Sequence, residues 1–222
     1  MGILKNYLKT WQGGELLKAD VSKEKRTADK IVAAATPLFA RKGFAAVSVK
    51  ELADAAGVNI ALISYYFGGK ENLYTVVLNR QFAIVAELLD TIVKEKLAPM
   101  DRIRRFAHSL VEVHRKAPFI DQLYYGEKIN PTGCFDTILL KEAARVHCFL
   151  RDCITDAIAS GQFRADLDVD FAAMNLGGNI HYYFCTQPFN EILLPAQQNQ
   201  AEHYIDQALE IFFRGMLISQ GY

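Results

Sequence analysis

No CxxC pair and no regular spacing joins the four cysteines, Cys134, Cys148, Cys153 and Cys185. Neither a zinc ribbon nor a disulfide framework is therefore encoded, and they read as reduced, buried thiols of a cytoplasmic protein. Long apolar runs are missing as well. Residues 171–187 carry no charge, but these 17 residues are interrupted by Asn175, Gly177, Gly178, Asn179 and His181. A membrane span needs ~20 mainly apolar residues, so a buried or interface helix fits better. No signal peptide is visible. No Gly-rich phosphate loop, nucleophile elbow or HExxH is present, which argues against an enzyme and leaves no catalytic residues to name. Period-two alternation, internal repeats and low-complexity tracts are also absent, so the expected fold is all-α.

Net charge is missing too: 25 Lys and Arg balance 25 Asp and Glu. Spread evenly, that balance would argue against a nucleic-acid partner. It is not spread evenly. Residues 22–70 hold eight basic and four acidic residues, whereas residues 71–222 hold 14 basic and 19 acidic. A basic head on an acidic body suits phosphate binding, because neutralised phosphates release counterions.

The head contains the most informative run. Ser48 is followed three residues later by Glu51, a capping box that starts a helix near residue 49. Val49, Leu52 and Ala53 then share one face. Gly57 accepts the positive φ of a tight turn, and Asn59 suits the N-cap of a second helix. In that helix Ile63 and Phe67 are four apart and face inward, leaving Ile60, Ala61 and Ser64 outside. Two short helices at a glycine turn form a helix-turn-helix, about 48–67, whose second helix enters the DNA major groove. An ordinary α-α corner shares the turn alone. It does not share the aromatic end Tyr65-Tyr66-Phe67 followed by Lys70.

These residues resemble a TetR-family transcriptional regulator. The matching pattern is Leu38-Phe39, Gly43-Phe44, Ser48, Ala56-Gly57-Val58, Tyr65-Tyr66-Phe67 and Lys70-Glu71, within about residues 24–78. The resemblance implies a sequence-specific regulator, by default a repressor released from its operator by a small molecule. The alternatives are an activator of the same fold or a scaffold acting through protein partners. It implies phosphate contacts from Ser48, Lys50, Tyr65, Tyr66 and Lys70. Ile60, Ala61, Leu62 and Ser64 then face the bases, with Asn59 at the rim. Three positions depart from the pattern. Pro37 lies inside the first helix, where it kinks the helix or costs ~3 kcal/mol. Gly69 stands where a capping residue is usual. Ile60 stands where a polar or basic one is frequent, so its base contact would be apolar, for instance with a thymine methyl.

The domains are expected at 1–21 (an extension), 22–70 (DNA-binding) and 71–222 (effector-binding and dimerisation), with about nine helices. Helix 1 covers 23–42 and buries Ile31, Ala35, Leu38 and Phe39. Helices 2 and 3 form the motif, and helix 4 runs 70–95. Prolines punctuate the rest into 100–116, 118–129, 133–160, 169–187 and 198–219. Ile3, Leu4, Tyr7, Leu8 and Trp11 give the extension an amphipathic face, and a short arm docked on the protein's own surface is the preferred reading. On the last helix Ile205, Ala208, Leu209, Phe212 and Met216 share a face, with Tyr204, Ile211 and Phe213 outside it. This surplus of apolar surface on 169–187 and 198–219 suits a homodimer. The family implies an effector pocket between 100 and 187, with Phe106, Tyr124, Tyr125, Phe149, Tyr182 and Tyr183 as lining candidates. Each of these aromatics equally suits a core. The pairs His181–Cys185 and His147–Cys148 are thin ligand sets, so no metal or other cofactor is expected. Asp54, His108 and His114 are assigned to solvated helix faces.

Overall fold

The computed structural model describes residues 15–217. Its helices are α1 (Glu15–Ala46), α2 (Val49–Ala56), α3 (Ala61–Phe67), α4 (Lys70–Lys94), α5 (Pro99–Lys116), α6 (Ile120–Ile129), α7 (Leu140–Ala159), α8 (Val169–Cys185), α9 (Gln187–Leu193) and α10 (Gln200–Met216). A π-helical turn, Phe135–Leu139, precedes α7. Among the described residues no strand occurs; the single β pairing is an isolated bridge between Phe163 and Leu217. The fold is all-α.

Several boundaries differ from the sequence expectation. The expected helix 133–160 is divided by the π-helical turn. Helix α9 was not expected, because Pro188 reads as a breaker. It lies in the first turn instead, where its missing N–H costs nothing. Buried Asn190 anchors this helix by donating to the Tyr183 carbonyl at 2.7 Å. Helix α1 starts earlier than residue 23 and stays helical through Pro37. Its break comes at Gly43, with φ 77° and ψ 161°. The amphipathic arm lies outside the described residues.

The chain divides into two compact units, one ending at Gln81 and joined by Gln122–Cys134, the other comprising Phe82–Asp121 and Phe135 onward. This division differs from the expected boundary at residue 70. In the first unit Ile31, Ala35 and Phe39 of α1 pack with Leu52, Ala53 and Ile63 in a core that excludes water. Burying each of the larger ones, Ile31, Phe39, Leu52 and Ile63, stabilises by ~1.5–3 kcal/mol. Leu38 is half-buried. The start of α4 belongs here because Tyr74 stacks edge-on against Phe39 at 4.9 Å and meets Phe44 at 5.0 Å. The later part of α6 belongs here because Glu127, fully buried, accepts from the Tyr74 hydroxyl at 2.8 Å. Its other oxygen accepts from the Thr132 amide and hydroxyl, both at 2.7 Å.

In the second unit α7 packs on α5 and α8, and α10 packs on α5 and α8. Gly177 of α8 faces Leu150 so closely that a Cβ would stand 3.3 Å from its Cδ1, whereas Gly178 faces open space. Phe213 was expected outside the α10 stripe, yet it is buried against Phe163, with the Arg104 guanidinium over its ring. Ile211 is 73% exposed. Cys134 and Cys153 are buried, and burial pushes the Cys153 thiol up to about 11. Cys148 is exposed, against expectation. His114 is also a correction: its side chain is only 16% exposed and stacks on Phe184 at 3.7 Å rather than lying on a solvated face. No described helix is long and apolar enough to cross a membrane.

Candidate nucleic-acid interface

The surface formed by α2 and α3 follows from where each helix begins and ends. Ser48 Oγ accepts the Glu51 amide at 3.1 Å, opening α2. The Glu51 carboxyl is held below its ordinary value, first by the hydrogen bond from Lys42 at 2.5 Å, with the Ser48 backbone N–H adding to it. Both halves of the capping box are present. Gly57 closes α2 at φ 58°, and the Val58 amide returns to the Ala53 carbonyl at 3.0 Å. A side chain at that φ would be strained, which explains the glycine.

Asn59 Oδ1 accepts the Ala61 amide at 2.9 Å and caps the first turn of α3. Ile63 and Phe67 are buried, so Ile60, Ala61, Ser64 and Tyr65 are left exposed and Leu62 half-exposed. Ile60 is 49% and Tyr65 52% exposed. Ser48 and Lys50 are exposed beside them. The side chain of Asn59 is committed to capping. The Tyr65 hydroxyl donates to Glu24 at 3.2 Å and its ring meets Tyr66 edge-on at 5.0 Å.

Lys70 is placed differently from a simple phosphate contact. Its ammonium donates to the Phe44 and Val47 carbonyls, both at 3.0 Å, and sits 4.2 Å from the Phe44 ring. Two of its three donors are thus spent on the loop before Ser48. Its first effect is to hold that loop where the α2 N-terminus needs it. The unusual Gly69 has a reason as well. Its φ is 139°, following Gly68 at 74°, and L side chains rarely adopt either. Sequence reasoning missed Lys42 and the Lys70 anchorage. Both depend on partners 9 to 26 residues away that no local spacing marks.

Residues 31–77 match the family model described as bacterial regulatory proteins, tetR family. Residues 31–77 thus carry the pattern of the TetR-family DNA-binding head. Similar proteins include a probable HTH-type transcriptional regulator, YttP, of Bacillus subtilis, 43% identical over 65 residues. That match covers 29% of this chain and 31% of YttP. The HTH-type transcriptional repressor KstR2 of Mycolicibacterium smegmatis is 25% identical over 148 residues, 64% of this chain and 70% of that one. The solved structure of the ketosteroid transcriptional regulator KstR2 of Mycobacterium tuberculosis superposes with a TM-score of 0.70 at 20% identity. It covers 86% of this chain and 95% of that one, a likeness of fold.

The expected pocket residues fall in both compact units. In the second unit Phe106 and Phe149 meet at 5.5 Å, both buried, and Tyr183 is buried against Phe184 and Tyr204. Tyr182 stands 59% exposed rather than inside the body. Tyr124 and Tyr125 belong to the first unit, half-buried, their rings edge-on at 5.3 Å. Neither suspected His–Cys pair forms a ligand cluster among the described residues: His147 faces Asp170 at 3.2 Å, and His181 faces Asp121 at 3.6 Å.

Proposed function

We propose that this protein is a cytoplasmic, sequence-specific DNA-binding transcriptional regulator. It acts as a homodimer and represses until a small-molecule effector releases it from its operator. The carrying observation is the split of α3, with Ile63 and Phe67 in the core and Ile60, Ala61 and Ser64 exposed beside the Ser48 cap. Ser48, Lys50, Tyr65 and Tyr66 then contact phosphates, helped by the α2 N-terminus. Ile60, Ala61, Leu62 and Ser64 meet base edges with Asn59 at the rim, and Lys70 fixes the loop that carries Ser48. No Arg or Gln faces the bases from α3, so apolar contact and DNA shape carry much of the specificity.

The dimer reading rests on an apolar stripe. Phe171, Met174 and Tyr182 of α8 are 76%, 68% and 59% exposed and lie on one face with Gly178. Ile211 of α10 adds to the apolar surface that a second copy would cover. Two recognition helices then read half-sites one helical turn, ~34–36 Å, or a multiple apart. An effector bound within the second unit, near Phe106, Phe149 and Tyr183, acts by favouring one arrangement of the dimer, and the coupling is reciprocal.

A salt titration of duplex binding tests the reading. The logarithm of the affinity should fall linearly with log salt, and Lys50→Ala should reduce the slope by about 1. A slope unchanged by Lys50→Ala, or no duplex binding by effector-free protein, would overturn it.

A further inference from the structure

Three side chains from separate elements of the second unit converge outside the DNA-binding surface. His114 ends α5, Asp121 opens α6, and His181 lies on α8. One donor atom from each falls within 4.8 Å of the other two. Two of the three spacings are shorter: His114 Nε2 is 3.0 Å from Asp121 Oδ2, and His181 Nδ1 is 3.6 Å from Asp121 Oδ1. Ligands at ~2.0–2.2 Å around a tetrahedral ion stand about 3.3 Å apart; the spacings to the two Asp121 oxygens bracket that length, and side-chain rotation would bring one oxygen and both imidazoles around one ion. The side chains are 16%, 18% and 34% exposed for His114, Asp121 and His181. The site is thus sheltered yet reachable from one side.

The state of His114 supplies the chemical argument. Its Nδ1 lies 2.7 Å from the Leu110 carbonyl oxygen, which can only accept, so Nδ1 carries the proton. In the neutral ring Nε2 then holds a lone pair. That atom is shut off from solvent and makes no hydrogen bond, although Asp121 Oδ2 is 3.0 Å away. A lone pair set against a carboxylate favours a positive centre between them, which a metal ion or a second proton on the ring supplies. The Leu110 carbonyl and the Phe184 ring, stacked at 3.7 Å and 4°, fix the tautomer and the plane. That outer support is what metal-binding histidines use.

We propose that His114 Nε2, the Asp121 carboxylate and His181 bind a divalent transition-metal ion of the zinc class. Two imidazoles and a carboxylate suit such an ion; calcium and magnesium prefer oxygen throughout. Three protein ligands leave a fourth position open to water or to an oxygen donor of a bound small molecule. This inference stands apart from DNA binding and is read without DNA.

The test uses the full chain, stripped with chelator and titrated with Zn2+ by calorimetry and with Co2+ by visible absorption. One ion per chain is expected, with the d–d bands of a tetrahedral Co2+ site. Asp121→Asn and His181→Gln should each weaken binding beyond the ~10–100-fold that loss of an outer-shell partner costs. His108→Gln, whose side chain is 40% exposed beside Asp206, should leave it unchanged. Circular dichroism confirms the folding of each variant; if one unfolds, the other decides. No saturable binding at one ion per chain, or binding that survives either folded variant, overturns the proposal.

Discussion

Replacing Ile63 by Ala separates the supporting face of α3 from its reading face. Ile63 is 0% exposed, so the change removes buried methylenes and leaves a cavity beneath the helix. Such Ile→Ala changes cost ~2–5 kcal/mol. Against a total of ~5–15 kcal/mol, that is a large fraction. At ~2–4 °C per kcal/mol for a chain of this size, the melting temperature should fall by about 4–20 °C. The partner variant is Ile60→Ala, three residues earlier at the exposed start of α3. With Ile60 49% exposed, stability should change by no more than ~0.5 kcal/mol. Loss of its base contact should weaken the preferred duplex by ~1 kcal/mol, about five-fold, and relax preference at one base pair. Circular dichroism melts and fluorescence anisotropy read the two effects. The reasoning fails if Ile63→Ala is neutral, or if Ile60→Ala destabilises the fold while leaving base preference intact.

Three other perturbations follow from the same geometry. Tyr74→Phe removes the hydroxyl that Glu127 accepts and should cost ~1.5–3 kcal/mol in urea unfolding, more than an exposed hydroxyl would. Lys70→Met keeps the stem but drops two hydrogen bonds to the Phe44 and Val47 carbonyls. It should lower both the melting temperature and the affinity for every duplex tested, with base preference unchanged. Glu51, whose carboxyl is held below the ordinary carboxylate value by the Lys42 hydrogen bond, gives a pH signature. A depressed folded pKa stabilises fully above the unfolded value and loses that contribution as pH falls through the folded one. Glu51→Gln should therefore flatten the stability profile below about pH 4.5 and leave its shape near neutrality alone; an unchanged acid limb would contradict the Lys42 assignment.

Much of the head was legible because its signals are local. Ser48 and Glu51, Gly57, and Ile63 with Phe67 are separated by three or four residues or define a turn, and the structure places each as periodicity requires. The rest was hidden for physical reasons. Lys70 looks like a free surface cation until the Phe44 and Val47 carbonyls 26 and 23 residues earlier are brought to it. Pro188 looks like a stop signal, but a first-turn proline starts helices as readily as proline ends them. His114 sits in a strongly amphipathic helix and reads as solvated; only the return of α8 places His181 and Phe184 against it. Phe213 lies off the α10 stripe, yet Phe163 from the α7–α8 connection covers it. The compact first unit also reaches past residue 70. Its division is set by Tyr74 and Glu127, 53 residues apart, rather than by any change in composition.

The central claim is that the exposed face of α2 and α3 reads DNA as a two-fold pair. Selection of bound duplexes from a random pool, at stated salt and with effector-free protein, tests it most directly. The account predicts enrichment of a palindrome with half-sites one helical turn or a multiple of it apart, lost on Ser64→Ala or Ile60→Ala at defined bases. Enrichment of nothing beyond salt-sensitive background, or of a sequence indifferent to both substitutions, would contradict it.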